Sequence, residues 1–188
     1  MSSRLFIENI GSEEALIAKA HSEDVAFVER FSNEGRRCEV LAWRTIVRRE
    51  LGCDVKIGYD EYGAPMVDVP NSFISVSHSK GVVAVMIAEA PCAVDIEQSK
   101  RDFAKVASKY LSEDERQLAE QNNLFAELWC AKEALYKYYK IGGVDLAADL
   151  TVCEYLAAEG VLVASILGGE PLRVQIKREG DLAIALVE

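Results

Sequence analysis

The chain has 188 residues, of which 50% are hydrophobic and 28% charged, with a formal net charge of -10. That balance suits one globular domain or two small ones and excludes a disordered chain. The acidic surplus argues against a general binder of nucleic acid or membrane surfaces, since both are polyanions that demand a basic face.

The stretch from Met1 to Leu16 lacks the basic start and unbroken apolar run of a signal peptide, and no run is long enough to span a bilayer. A cytoplasmic protein without a membrane or nucleic-acid partner is therefore expected. From Glu34 to Leu51, Val40, Leu41, Ile46 and Val47 recur at helical spacing and Gly52 is a fitting stop. Arg36, Arg37, Arg44, Arg48 and Arg49 are spread over more than one face of that helix. Strand-like pieces follow, "CDVKIGY", "FISVSH" and "GVVAVMIA", with the turn "DEYGAP" between the first two. Pro91 then punctuates before "CAVDIE".

Ser112 and Glu115, three apart, form a capping box that opens a helical block. A second helix is predicted over Leu124 to Lys140. The tail from Leu150 to Glu188 alternates strand-like runs with turns and reads as an antiparallel meander. Helix then strands, twice over, gives an α+β protein of two similar halves. The five cysteines, Cys38, Cys53, Cys92, Cys130 and Cys153, are odd in number and scattered, so reduced and mostly buried thiols are expected.

Asp95 and Glu97 lie two apart in a mostly apolar strand, which aims both acids at one side, about 7 Å apart. At an effective dielectric near 20 they repel by roughly 2 kcal/mol, against well under 1 in water. Either the face is solvated, or a hard cation such as magnesium takes the two carboxylates together with water or phosphate oxygens. On the later helix, Leu128, Ala131, Leu135 and Tyr138 form an apolar stripe that leaves Glu133 roughly opposite. Glu133 and Lys137 would then make a surface i, i+4 pair, worth only about 0.3 to 0.5 kcal/mol. Trp129 and Tyr136, flanking Glu133, point instead to a covered face.

The motifs "SVSHS" (Ser75 to Ser79), "VDIE" (Val94 to Glu97) and "LWCAKEALYK" (Leu128 to Lys137), in this order and at these separations, resemble the signature set of the 4′-phosphopantetheinyl transferases, of the larger single-chain, holo-acyl-carrier-protein synthase-like type. "GAP" at Gly63 to Pro65 and the arginine-bearing helix sit where that family has coenzyme A contacts. The likeness runs from Arg37 to Lys140 and is only general outside it. It implies two similar α/β halves related by pseudo-twofold symmetry, with the active site in the cleft between them. Residues 1–92 would form a coenzyme A-binding half and 93–188 a metal-binding half carrying the catalytic helix.

The implied reaction moves the 4′-phosphopantetheine arm of coenzyme A onto a serine of an apo acyl or peptidyl carrier protein and releases adenosine 3′,5′-bisphosphate. Carriers of fatty-acid, polyketide and nonribosomal-peptide biosynthesis all offer such a serine. The resemblance assigns magnesium to Asp95, Glu97 and Glu133, catalysis to Glu133 and Lys137, and coenzyme A contacts to Arg37, Arg44, Ser77, His78, Lys132 and Lys137. Read without it, His78 is a hydrogen-bonded surface group, the arginines are helix-surface charges, and Lys132 is as easily structural. Ala64 departs from the pattern, because the family commonly carries a lysine between that glycine and proline. "SKRDFAKVASKYL" (Ser99 to Leu111) combines cations with Phe103, Val106 and Leu111 and is expected to touch the carrier. The alternatives are a non-catalytic relative that binds coenzyme A or a carrier, and a magnesium-dependent nucleotide phosphohydrolase. A duplicated single chain supplies its own interface, so a monomer is expected.

Overall fold

The structure, a computed structural model, describes residues 3–188; Met1 and Ser2, the start of the expected first half, lie outside the described residues. The chain divides into two compact units, the first ending at Ala90 and the second beginning at Pro91.

The first unit runs β1 (Ser3–Asn9), α1 (Glu13–Ile17), α2 (Ser22–Val28), α3 (Glu34–Leu51), β2 (Ile57–Tyr59), β3 (Pro65–Val67), β4 (Phe73–Ser79) and β5 (Val82–Ala88). The predicted arginine-bearing helix is α3. Asn33 caps it by accepting from the Arg36 N–H at 2.8 Å, and Gly52, at φ 115°, ends it in a conformation that a side chain resists. Its apolar face, Val40, Leu41, Trp43, Ile46 and Val47, packs with Ile74, Val83, Val85 and Ile87 of an antiparallel sheet ordered β1-β5-β4. β2 and β3 form a separate two-stranded hairpin. β1, α1 and α2 are elements the pattern analysis does not anticipate.

The second unit runs β6 (Ala93–Gln98), a 3-10 helix (Ala104–Lys109), α4 (Glu113–Asn122), α5 (Phe125–Tyr139), β7 (Leu150–Leu156), β8 (Val161–Ile166), β9 (Leu172–Glu179) and β10 (Leu182–Val187). The predicted capping box is present at the start of α4, with Ser112 and Glu115 bonded reciprocally. The tail is antiparallel as predicted, and its last strand returns to pair with β6, giving one sheet ordered β6-β10-β9-β8-β7. α5 packs on β6 and β10, burying Leu128, Ala131 and Leu135 against Ala183, Ala185 and Val187. The register sets Ala185 opposite Asp95 and Ala183 opposite Glu97. Small residues thus sit beside the two acids, so no bulky cross-strand neighbour crowds them.

The result is a mixed α/β chain with several sheets, which among the described residues have three and two strands in the first unit and five in the second. Among the described residues no helix is long and apolar enough to cross a membrane. All five cysteines are free thiols. Cys38 and Cys130 are buried and Cys92 half-buried, but Cys53 and Cys153 are exposed, against the expectation of mostly buried thiols. Cys53 follows the end of α3, and Cys153 occupies the irregularity between Val152 and Glu154 on the sheet-edge strand β7, where bulges commonly turn a side chain outward.

Candidate active site

Strand alternation along β6 puts Asp95 and Glu97 on the side facing α5. The bonds agree: Lys137 of α5 donates from Nζ to Asp95 Oδ1 at 2.7 Å and to the Val94 carbonyl at 3.0 Å. Asp95 is only 6% exposed, so this ammonium supplies the positive charge that a buried carboxylate requires. Glu97, half-buried at the end of the strand, accepts from Arg101 Nη1 at 2.7 Å and from the Gln98 N–H at 3.2 Å. Lys137 therefore reaches across to the strand and does more than pair on the helix surface.

Glu133, one turn before Lys137, is half-buried. Burial pushes its carboxyl above the ordinary value of 4.5, and the charges of Asp95 and Glu97 push the same way while Lys137 opposes them. The three acids thus share one electrostatic environment. The neighbouring Cys130 thiol is pushed up as well, first by burial and then by Asp95. Among the described residues, no three His, Cys, Asp or Glu side chains are grouped to hold a metal ion as they stand. Asp95 faces Lys137, and Glu97 faces Arg101.

A raised carboxyl favours the folded state only while it is protonated. Glu133 therefore costs stability above its folded-state value and costs nothing below the ordinary value of 4.5. In metal-free buffer, Glu133→Gln is expected to melt above the parent at neutral pH, the two curves converging as pH falls below about 4. A melting series across pH checks this, and curves separated equally at all pH would remove the electrostatic reading of Glu133.

In the first unit, His78 sits against the first turns of α3. Its Nε2 lies 3.0 Å from Arg36 Nη1 and its Nδ1 3.3 Å from Glu39 Oε1. An arginine can only donate, so Nε2 accepts and Nδ1 carries the proton toward Glu39. Arg36 and Glu39, themselves bonded at 3.2 Å, are site neighbours that the sequence reading missed; the signal available to it was their i, i+3 spacing on one face. Ser77, expected to act with His78, belongs to the opposite face of β4, where it is buried.

Three predicted coenzyme A contacts make bonds within the chain. Arg37 binds both oxygens of Glu13 and the carbonyls of Phe31 and Ser32, tying α1 to α3. Arg44 is buried over the rings of Phe27 and Trp43 and donates to Asp24 Oδ1 at 2.6 Å. Arg48 shares that fully buried carboxylate. Burial alone would raise the Asp24 carboxyl, but hydrogen bonds from Arg48 and Arg44 hold it below its ordinary value. Lys132 is fully buried, and its Nζ donates to Glu115 at 2.6 Å and to the carbonyls of Leu146 at 2.8 Å and Leu150 at 2.7 Å. An ammonium has three protons, so none is left for a phosphate. Burial lowers its affinity for the proton, and Glu115 restores part of it.

The loop around Ala64 is closed on itself. Asp60 Oδ1 accepts from the N–H groups of Tyr62 at 3.0 Å and Ala64 at 2.8 Å, and Gly63 supplies the left-handed φ of 79° that the turn needs. In the expected carrier segment, Phe103 and Leu111 are buried in the second unit's core. Lys100 and Lys105 are exposed, each 2.7 Å from an aspartate.

The family model of the 4′-phosphopantetheinyl transferase superfamily matches residues 91–187, a span that contains Asp95, Glu97, Glu133 and Lys137. Two curated relatives come from Bacillus subtilis. The 4′-phosphopantetheinyl transferase ffp is 33% identical over 91 residues, 45% of this chain and 41% of its own length. The 4′-phosphopantetheinyl transferase Sfp of strain 168 is 28% identical over 104 residues, 50% of this chain and 46% of its own. The chain thus spans less than half the length of either relative.

Proposed function

The chain belongs to the 4′-phosphopantetheinyl transferase superfamily, and from that membership we propose that it moves the 4′-phosphopantetheine arm of coenzyme A onto a serine hydroxyl of an apo acyl or peptidyl carrier protein. The observation that supports this reading most is the grouping of Glu133 with Asp95, Glu97 and Lys137 on one strand and one helix. In the proposed step the serine oxygen bonds to phosphorus, the bridging bond of the pyrophosphate breaks, and adenosine 3′,5′-bisphosphate leaves.

The serine proton needs an acceptor, and Glu133, with its carboxyl raised toward working pH, is suited to that task. The Lys137 ammonium balances negative charge that develops on the phosphoryl oxygens. His78 and Arg36 are the phosphate contacts that the first unit offers, while Ser77, buried on the other face of β4, supports the strand that carries His78. The carboxylates also form the hard-oxygen set that magnesium takes. Asp95, Glu97 and Glu133 would hold the ion in competition with Lys137 and Arg101, and a bound ion would neutralise the pyrophosphate. The pseudo-twofold arrangement, the cleft, the cytoplasmic setting and the monomeric state belong to the same proposal and rest on the family resemblance.

The test is the mass of an apo carrier incubated with coenzyme A, magnesium and this protein. A gain of one phosphopantetheine is expected. Release of the bisphosphate from coenzyme A alone, without gain on any carrier, would replace the reading with a phosphohydrolase. The holo-acyl-carrier-protein synthase-like subtype is part of the proposal; since the relatives are Sfp and ffp, a side-by-side assay of acyl and peptidyl carriers decides it.

A further inference from the structure

The first unit contains a cavity of about 760 Å³, lined from β1, α1, α3 and β5 and from the segment joining α1 to α2. None of the transferase residues named above lines it. The volume falls within the roughly 300 to 1,000 Å³ of small-molecule sites. Its apolar walls are short aliphatics: Leu16, Ala20, Ala42, Ile46 and Val83. Among its described lining residues there is no Phe, Tyr or Trp, and His21 supplies the one aromatic ring.

Of the polar groups left over, the Lys19 ammonium and the His21 ring N–H donate, while the Thr45 hydroxyl and the Asn9 amide can donate or accept. Thr45 Oγ1 is buried with no hydrogen-bond partner among the described residues, a condition that native proteins seldom leave unexplained. His21 spends Nδ1 in accepting from the Glu23 N–H at 3.3 Å, which leaves the ring proton of the neutral imidazole on Nε2. Lys19 lines the cavity and makes no ion pair among the described residues. The other cations are committed: Arg48 to Asp24 and Glu23, Arg49 to Glu8 and Glu50. One uncommitted positive charge and a surplus of donors over aliphatic walls define the ligand by complementarity.

We propose that this cavity binds a small aliphatic monocarboxylate, its carboxylate taken by Lys19, His21 and Thr45 and its chain laid on Leu16, Ala20 and Ile46. This site is separate from the transferase reading and stands or falls without it.

The probe is octanoate, titrated into the full chain and followed by calorimetry and by melting temperature. One saturable site with a dissociation constant of about 1 mM or tighter is expected. Lys19→Met should weaken it about fivefold, in line with one partly exposed charge contact, and Ala20→Trp, which fills the cavity from its partly exposed side, should remove it. Lys19 is exposed, so its variant folds and keeps the test open even if Ala20→Trp does not. Octylamine, with the same chain and the opposite charge, should bind at least about fivefold more weakly, and inorganic phosphate should not compete. Equal binding of octylamine would show chain burial without carboxylate recognition and overturn the proposal. So would competition by phosphate, undiminished octanoate binding in Lys19→Met, or no binding of octanoate at all.

Discussion

Lys132→Met is expected to cost about 3 to 5 kcal/mol of folding stability while leaving coenzyme A affinity within about twofold. The ammonium is fully buried and Glu115 nearly so, and removing one member of such a pair strands the other charge in a poor solvent. Glu115 cannot relax outward. Its Oε2 also accepts from the Ser112 N–H at 2.7 Å and its Oε1 from the Val152 N–H at 2.8 Å, so one carboxylate joins α5, the cap of α4 and β7. Neutralising it together with the lysine, in Lys132→Met/Glu115→Gln, should recover part of the loss. At about 2 to 4 °C per kcal/mol for a chain of this size, the single variant should melt roughly 6 to 20 °C lower. Urea unfolding and a coenzyme A titration at low temperature separate the two roles. A stable variant with weakened coenzyme A binding would return Lys132 to the phosphates, where the motif alone had put it.

That residue marks the boundary of what the sequence discloses. α3, the capping box at Ser112 and the terminal strands were legible because caps and hydrophobic periods are local properties, fixed within a turn or two of chain. The Lys132 bonds to Leu146 and Leu150 are not local, and at the level of sequence a lysine beside an apolar stripe is equally a snorkelling surface group. The same holds for α1 and α2, helices of five and seven residues that are too short to show a period. Asp24, which anchors Arg44 and Arg48, lies on one of them. With that partner hidden, the buried structural Arg44 reads as a helix-surface charge or as a coenzyme A ligand.

Other misplacements were avoidable. Ser77 and His78 are adjacent on a strand, so period two alone sends them to opposite faces; grouping them followed the motif rather than the geometry. Arg36 and Arg37 differ by one position, about 100° around a helix, and that step decides which guanidinium meets His78 and which ties down Glu13. By contrast, Asp95 and Glu97 were placed on one face by the same period-two argument, and the bond from Lys137 is where that argument puts it.

Asp95→Asn is expected to lower transfer to an apo carrier by at least about a hundredfold, as removal of one preorganised charge from a phosphoryl-transfer site should, with little change in metal-free stability. Two contributions to stability oppose each other. The variant loses the charge of a partner 2.7 Å from Lys137, whose side chain is 29% exposed and can turn to water, a loss of roughly 1 kcal/mol after screening. It also relieves the repulsion through which Asp95 raises the Glu133 carboxyl, and that gain has the opposite sign. From sequence alone only the repulsion was visible, which predicts a variant as stable as the parent or more so; the Lys137 bond brings the expectation back to near neutrality. Magnesium makes the test specific. If Asp95 is one of the groups that hold the ion, magnesium should raise the melting temperature of the parent, because a ligand bound only by the folded state stabilises it, and should raise that of Asp95→Asn much less. Equal magnesium shifts in both proteins would take Asp95 out of the metal site, and transfer retained within about fivefold would take it out of the reaction.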